Sequence, residues 1–578
     1  MTTSTDSAPL DPEPDPAARP ALDPELASRL RAAFLAADFT ADGCLDLLGA
    51  TAYAALARSE TVPALRVTGG GSVRETLLRL FLLQRPVPLA AAEAALPVQD
   101  CLAAGWLVRV GGADGSGTGA AGAGTSGPDA SGAGGVGDAG GAGGDELVRA
   151  TVDVRPYAND IASDRADGSA ADAWIVSDLG CAVGGAGGIG AAGGSGAVPR
   201  SELVLGVGGA STTLANITVR RRVRRVLDLG AGSGVQALHA ARHGAQVVAT
   251  DVNPRALHFT ALTMALSGFS QVETRQGSLF EPVGDERFDL IVSNPPFVIS
   301  PGGRFTYRDG GMAGDDLCRS LVEQAGRHLE PGGYCQLLAN WQHVRGEDWR
   351  ERVSGWISGT GCDAWVVQRE VQDVTQYAEL WLRDGGDHRE SRASYDQRYG
   401  EWLDAFEAAK VEGVGFGWIT LRRPVEQDRG RPGDGHRATT PILQIEEWPH
   451  TVEQPLGPQI EDWFARQDFL RSHDDAALLA ARYRLADGVV QEQIGAPGEE
   501  HPEHVILRHN RGMRRATTVD TVGAGFVGVC DGELSAGEIL DAIAALIEED
   551  PVLLRDRSPE QIRMLVEQGF LEPLPVAG

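Results

Sequence analysis

The sequence predicts an α/β fold in which a parallel sheet is covered by helices on both faces. Three observations carry this. A short apolar run, 226–229, feeds a glycine turn, Gly230-Ala231-Gly232-Ser233-Gly234, and then a helical stretch, 235–242. A second apolar run, Val247-Val248-Ala249-Thr250, ends on Asp251. Strand-like and helix-like stretches then alternate at short pitch as far as residue 421, the pattern of strand–helix–strand units.

The chain has 578 residues, too many for one hydrophobic core, so several folded units are expected. Residues 1–23 are acidic, rich in proline and poor in apolar side chains. They read as a disordered tail and not as a signal peptide. In 24–110, Leu26, Leu30, Phe34 and Leu35 recur at three- and four-residue spacing, as do Leu45, Leu48 and Tyr53, so helices are expected there. Residues 73–83 read as a buried helix, 90–96 as a short helix and 105–110 as a strand. That order suggests a winged-helix-like unit, which either covers the central domain or takes part in recognition.

Residues 111–144 are almost wholly Gly, Ala, Ser and Thr; they cannot bury a core and read as a flexible linker. Residues 145–219 are expected to form a small β element. Its strands are 147–154 and 174–178, with a second Gly-rich tract at 184–196. Residues 203–208 and the segment 210–219 then arrive just ahead of the first core strand, where they would border a ligand pocket. Arg220-Arg221-Arg222-Val223-Arg224-Arg225 follows. It reads as a solvated end before a buried strand in preference to a phosphate contact, since charge runs are usually solvent faces.

The central domain, 220–425, carries strand candidates at 226–229, 247–250, 272–275, 288–293, 334–339, 364–367 and 414–421. Pro254 sits well in the first turn of the helix 254–266. Residues 371–409 form a helical insertion with Tyr377, Trp381, Tyr395, Tyr399, Trp402 and Phe406. Residues 426–440 are polar and read as a loop. The last unit, 441–578, has strand candidates at 442–445 and 505–508 and helices at 536–548 and 559–568, again a winged-helix-like order. Arg508, Arg511, Arg514 and Arg515 give it the densest positive charge outside 220–225.

The formal net charge of −29 argues against attraction to phosphate backbones or anionic membranes unless a basic patch is segregated. Lys410 is the one lysine, so the positive charge is nearly all arginine. The seven cysteines are scattered, with no close pair at metal-ligand spacing. No disulfide framework or metal site is expected, and a reducing cytoplasm fits best. No run approaches the ~18 apolar residues of a membrane span.

The chemistry lies in the central domain. Glycines after Leu229 let backbone N–H groups approach a ligand closely. Asp251, at the end of the second strand, can take both hydroxyls of a ribose. Asn294-Pro295-Pro296-Phe297 closes the fourth strand and is the specific motif. A nitrogen whose lone pair is delocalised into an amide or a ring is a poor nucleophile. The Asn294 side-chain carbonyl and the Pro295 backbone carbonyl can each accept a hydrogen bond from its NH2 group. The prolines fix the turn, and Phe297 offers a flat face to a planar acceptor. The bland alternative is an Asn-Pro-Pro turn that merely stops a strand.

The frame Asp228 to Gly234, Asp251 and Asn294 to Phe297 resembles the class I S-adenosylmethionine-dependent N-methyltransferases. The closest likeness is to HemK-type glutamine methyltransferases and to the related small-domain enzymes acting on ribosomal RNA. Gly277-Ser278-Leu279-Phe280 and Tyr307-Arg308-Asp309-Gly310-Gly311, followed by 317–333, add to it. The resemblance covers residues 226–340. It implies a Rossmann-like, seven-stranded sheet with the last strand antiparallel, and S-adenosylmethionine as cofactor. It also implies cofactor contacts at Asp228, Gly230, Ala231, Gly232, Gly234, Asp251, Val252, Ser278, Leu279 and Asn294, with Asn294, Pro295, Pro296 and Phe297 at the reacting group. Ser278 stands where that family usually has Asp, and Phe297 where Tyr is commoner. Three functions follow: methylation of a protein glutamine, which is favoured; methylation of an exocyclic base amine in RNA or DNA; or binding without catalysis.

Overall fold

A computed structural model describes residues 19–56, 58, 60–110, 146–158, 172–180, 202–302, 309, 311–425, 440–497 and 504–575. Most of the expected tail, the linker 111–144, the tract 184–196, most of the motif 307–311 and nearly all of the loop 426–440 lie outside the described residues.

The centre is a Rossmann-like sheet. Its strands are β1 (Val223–Leu229), β2 (Gly244–Asp251), β3 (Val272–Gln276), β4 (Phe288–Ser293), β5 (Leu329–Val344), β6 (Asp363–Asp373), β7 (Val411–Arg422) and β8 (Leu443–Glu447), in the spatial order β8-β6-β7-β5-β4-β1-β2-β3. Strands β1 to β5 are parallel, and β7 runs antiparallel between β5 and β6. The sheet thus has eight strands, not seven. The eighth was expected in the C-terminal unit; it pairs parallel with β6 along Ala364–Gln368 instead. Its side chains are half-buried or exposed, which is why its apolar pattern did not mark it as part of this core.

Helices α1 (Gly209–Ile217), α2 (Val235–Ala240), α3 (Pro254–Ser267), α4 (Asp316–Ala325) and α5 (Trp349–Ile357) cover the sheet, with its apolar residues split between two clusters, one on each face. The start of α3 follows from its sequence: the Asn253 side chain accepts from the Arg255 N–H, Pro254 occupies the first turn, and Gly268 ends the helix in the left-handed region. The insertion after β6 forms α6 (Val374–Asp384) and α7 (Arg392–Ala408). Both pack on Val298 and Ile299 through Tyr377, Leu382, Trp402 and Phe406.

Of the small β element expected over 145–219, Asp153–Tyr157 and Ala173–Ser177 form a two-stranded sheet, while the first part of the strand 147–154 pairs elsewhere. Leu147–Ala150 pairs antiparallel with both Leu107–Val110 and Val87–Pro88, completing the sheet of the N-terminal helical unit. The described residues on either side of the Gly-rich tract, 107–110 and 147–150, thus belong to one sheet. The stretch 147–154 also breaks after Ala150, where the Thr151 hydroxyl donates to the Gly105 carbonyl (2.6 Å). Asp153–Tyr157 then pairs with Ala173–Ser177, and this hairpin lies on α3. Leu30, Phe34, Phe81 and Trp174 share one core with Phe259, Leu262 and Leu266 of α3, so the N-terminal unit and the central sheet are packed together.

In the C-terminal unit, Arg482–Leu485 lies between Asp531–Ser535 and Leu571–Pro573. Between the two expected helices there is a third, Pro551–Arg557, capped by Asp550. Buried ion pairs tie this unit to the sheet: Arg422 of β7 bridges Asp363 (2.7 Å) and Asp468 (2.5 Å), and Arg471 also reaches Asp363 (2.9 Å). In the arginine run 220–225, Arg221, Arg222 and Arg224 are exposed, as expected of a solvated stretch, and two of the five arginines stack on rings. Arg221 stacks over Tyr334, and Arg225 stacks over Phe288 while pairing with Glu286.

Candidate functional site

A cavity of about 710 Å3 opens at the carboxyl ends of β1, β2 and β4, where ligands of such sheets bind. Gly230, Ala231, Gly232, Asp251, Val252, Ser278, Leu279, Asn294, Pro295, Pro296 and Phe297 all line it.

The glycine turn is held from below. The N–H groups of Gly230 and Ala231 both donate to the Thr250 carbonyl (2.9 Å each), and the Thr260 hydroxyl holds the Gly232 carbonyl (3.1 Å). Gly230 and Gly232 have φ of +81° and +57°, and a Cβ on either would meet no protein atom. Both glycines line the cavity, and their left-handed φ values favour glycine over any residue with a Cβ.

Asp251 anchors the next wall. One carboxylate oxygen accepts from the Asn253 N–H (2.8 Å) and the other from the Gly232 N–H (3.0 Å). Burial raises its pKa while the backbone N–H donors oppose the rise. Leu279, at φ +49°, is a strained non-glycine residue on the cavity wall beside Ser278.

The Asn-Pro-Pro-Phe turn enters from β4. The Ser293 hydroxyl donates to the Leu229 carbonyl (2.7 Å), fixing the end of β4 beside the glycine turn. Asn294 Oδ1 is buried and accepts no hydrogen bond among the described residues. After the turn, the Ile299 N–H donates to the Tyr377 hydroxyl oxygen (3.0 Å), which also accepts from the Asn340 amide (2.9 Å). Helix α6 thereby braces the turn, and its Trp381 and Asp384 reach the cavity.

Two expected contacts are not made. Asp228 and Gly234 do not line the cavity. Asp228 is fully buried beneath the turn, where one oxygen accepts from the Ala237 N–H of α2 (2.8 Å). Its role is to join turn and helix. Burial pushes this carboxyl up to about 7, against the opposing Ala237 hydrogen bond. An unfolded Asp titrates near ~3.9. The folded chain thus keeps a proton that the unfolded chain releases, and that stabilisation is lost as pH rises from roughly 4 to 7. Asp228→Asn carries no such proton. Its stability relative to the unmodified chain should rise by up to ~4 kcal/mol across that window and stay level above it. Chemical denaturation at about pH 5 and about pH 8 checks the sign.

The stretch 203–208 and, from the segment 210–219, Ala210 and Ser211 line the cavity, whereas Asp153, Arg155, Ser177, Trp381 and Asp384 were missed by sequence reading. They come from segments with no motif, and only the fold brings them to the cavity. Among the described lining residues, Asp153, Asp251, Asp309 and Asp384 are acidic and Arg155 is the one cation. No group of three or more metal-ligating side chains occurs among the described residues, and none of their helices is long and apolar enough to cross a membrane.

Comparison with known proteins agrees with this geometry. The family described as "Methyltransferase small domain" matches residues 206–349. Two families described as domains of unknown function match the flanks, DUF7059 over 36–118 and DUF7782 over 461–573. The chain is 41% identical over 130 residues to the release factor glutamine methyltransferase of Xylella fastidiosa, covering 20% of this chain and 47% of that protein. It is 38% identical over 125 residues to the ribosomal protein uL3 glutamine methyltransferase of Bradyrhizobium diazoefficiens, covering 19% and 39%. It is 35% identical over 116 residues to the ribosomal RNA small subunit methyltransferase C of Alcanivorax borkumensis, covering 20% and 32%. The chain spans less than half the length of each of these relatives. With the strand order above, the matches identify the central domain as a class I methyltransferase domain of the small-domain type, with S-adenosylmethionine as its cofactor.

Proposed function

We propose that this chain is an S-adenosylmethionine-dependent N-methyltransferase whose acceptor is a planar amide nitrogen, the side chain of a glutamine in a protein. The observation that carries the reading is Asn294 Oδ1, a buried carbonyl oxygen at the cavity with no partner among the described residues. A buried acceptor left unmatched costs about 1–3 kcal/mol, so its persistence points to a ligand that supplies the donor.

Asp251, Val252, Ser278 and Leu279 hold the nucleoside half of the cofactor, and Gly230, Ala231 and Gly232 lie under the remainder. S-adenosylmethionine supplies a methyl group already activated on a sulfonium. Asn294 Oδ1 and the Pro295 carbonyl accept the two N–H bonds of the acceptor amide and orient its nitrogen. Pro296 and Phe297 fix the plane of that amide, so the contribution of the chain is alignment. No residue needs to act as a strong base, because the nitrogen becomes acidic as it is alkylated and releases its proton afterwards.

A protein acceptor is favoured over a nucleic acid by charge. Three more carboxylates than guanidiniums line the described cavity wall, counting four aspartates against Arg155. In the C-terminal arginine cluster, Arg508 pairs with Glu492 (2.7 Å) and Arg515 with Glu446 (2.6 Å), which neutralises two of its four arginines as phosphate contacts. The flanking units, read as winged-helix-like from their helices and three-stranded sheets, then dock the acceptor protein. The test is a lysate incubated with the chain and a donor labelled in the methyl group. Protease should remove the labelled macromolecule and nuclease should not; the reverse result would establish base methylation.

A further inference from the structure

The Asp153–Tyr157 strand, in a segment outside the matched methyltransferase region, brings Asp153 and Arg155 to the wall of the cavity that the glycine turn also lines. Asp153, Arg155 and Tyr157 alternate onto one face of the strand. At one end the Gln84 amide of the N-terminal unit donates to Asp153 (3.1 Å). At the other, the Tyr157 hydroxyl meets His239 Nε2 of α2 (2.9 Å), the helix that follows the turn. The paired strand Ala173–Ser177 is tied to the turn itself. The Val176 N–H donates to the Thr263 hydroxyl (3.0 Å), which donates to the Ser233 carbonyl (2.9 Å). Arg155 thus lies between the glycine turn and the N-terminal unit, half-buried and on the cavity wall.

We propose that Arg155 binds the carboxylate at the amino-acid end of the cofactor, and that the N-terminal unit, through Gln84 and Asp153, positions it there. The assignment rests on the cofactor reading above. The cofactor has one anionic group, and the described cavity wall has one cation. Asp251 and the Ser278–Leu279 wall on the β2 and β3 side take the nucleoside, and Asn294 on β4 takes the acceptor, which leaves the glycine turn for the amino-acid end. The Arg155 guanidinium makes no hydrogen bond or ion pair with the described side chains, and the Asp153 carboxylate is its charged neighbour along the strand. Asp153, whose pKa burial raises to about 6, steadies the guanidinium without neutralising it by a close pair.

The test compares S-adenosylhomocysteine with 5′-deoxy-5′-methylthioadenosine, which keeps the nucleoside and lacks the amino-acid end. Titration calorimetry on Arg155→Met should show S-adenosylhomocysteine binding weakened about 10- to 100-fold, with methylthioadenosine binding within about two-fold of the unmodified chain. Arg155→Lys should recover part of the loss, since it keeps the charge without the fork. An equal loss of both ligands, or no loss of either, would overturn the assignment. If the unmodified chain binds neither ligand, the cofactor reading fails and the assignment falls with it.

Discussion

Asn294→Ala is expected to lower turnover on the order of 100- to 1,000-fold while cofactor affinity stays within about two-fold. The magnitude is that of losing one preorganised hydrogen-bonding group at a reacting centre. The split between the two readouts follows from the geometry. Asn294 Oδ1 makes no hydrogen bond within the described chain, so its removal disturbs no bond of the glycine turn or of Asp251. The backbone of the turn is fixed independently, by Ser293 on the Leu229 carbonyl and by Tyr377 under Ile299. Steady-state kinetics beside equilibrium binding of S-adenosylhomocysteine checks it. Retained turnover would remove Asn294 from the reaction.

Asp251→Ala is expected to weaken cofactor binding by at least about 100-fold, the loss of two charge-assisted hydrogen bonds to ribose hydroxyls. One of its oxygens already accepts from the Gly232 N–H, so the alanine variant also loosens the glycine turn. Asp251→Asn separates the two effects. It keeps one oxygen for the Gly232 N–H, loses the charge and sets its NH2 against the Asn253 N–H, so it should bind with intermediate affinity and melt between the alanine variant and the unmodified chain. If both variants bind as the unmodified chain does, the ribose assignment is wrong.

The parts of the site that were legible in the sequence are those dictated by local backbone chemistry. A glycine turn, an acid at a strand end and Asn-Pro-Pro-Phe each state their geometry within a few residues, and all three converge on one cavity. Asp228 was misread because a conspicuous acid beside a glycine turn looks like a ligand contact. Its burial under α2 depends on packing that no local pattern records. Other features were hidden because they are pairings between distant segments. Leu147–Ala150 joins strands across the Gly-rich tract, and a low-complexity stretch gives no sign that it closes a sheet. The edge strand β8 carries too little buried apolar surface to announce its partner. Arg155 sits in a strand where an alternating charged residue reads as a solvent face, and only the hairpin on α3 turns that face to the cavity.

The proposed acceptor is a side-chain amide nitrogen of a protein. Its most direct test is the chemistry of the labelled product. An N-methylated glutamine releases its methyl group as volatile methylamine on acid hydrolysis, because hydrolysis cleaves the amide. Protein labelled by the unmodified chain should yield labelled methylamine, and Asn294→Ala should yield almost none. Label that stays on a nucleoside after nuclease digestion, or that leaves as methanol in mild base, would contradict it.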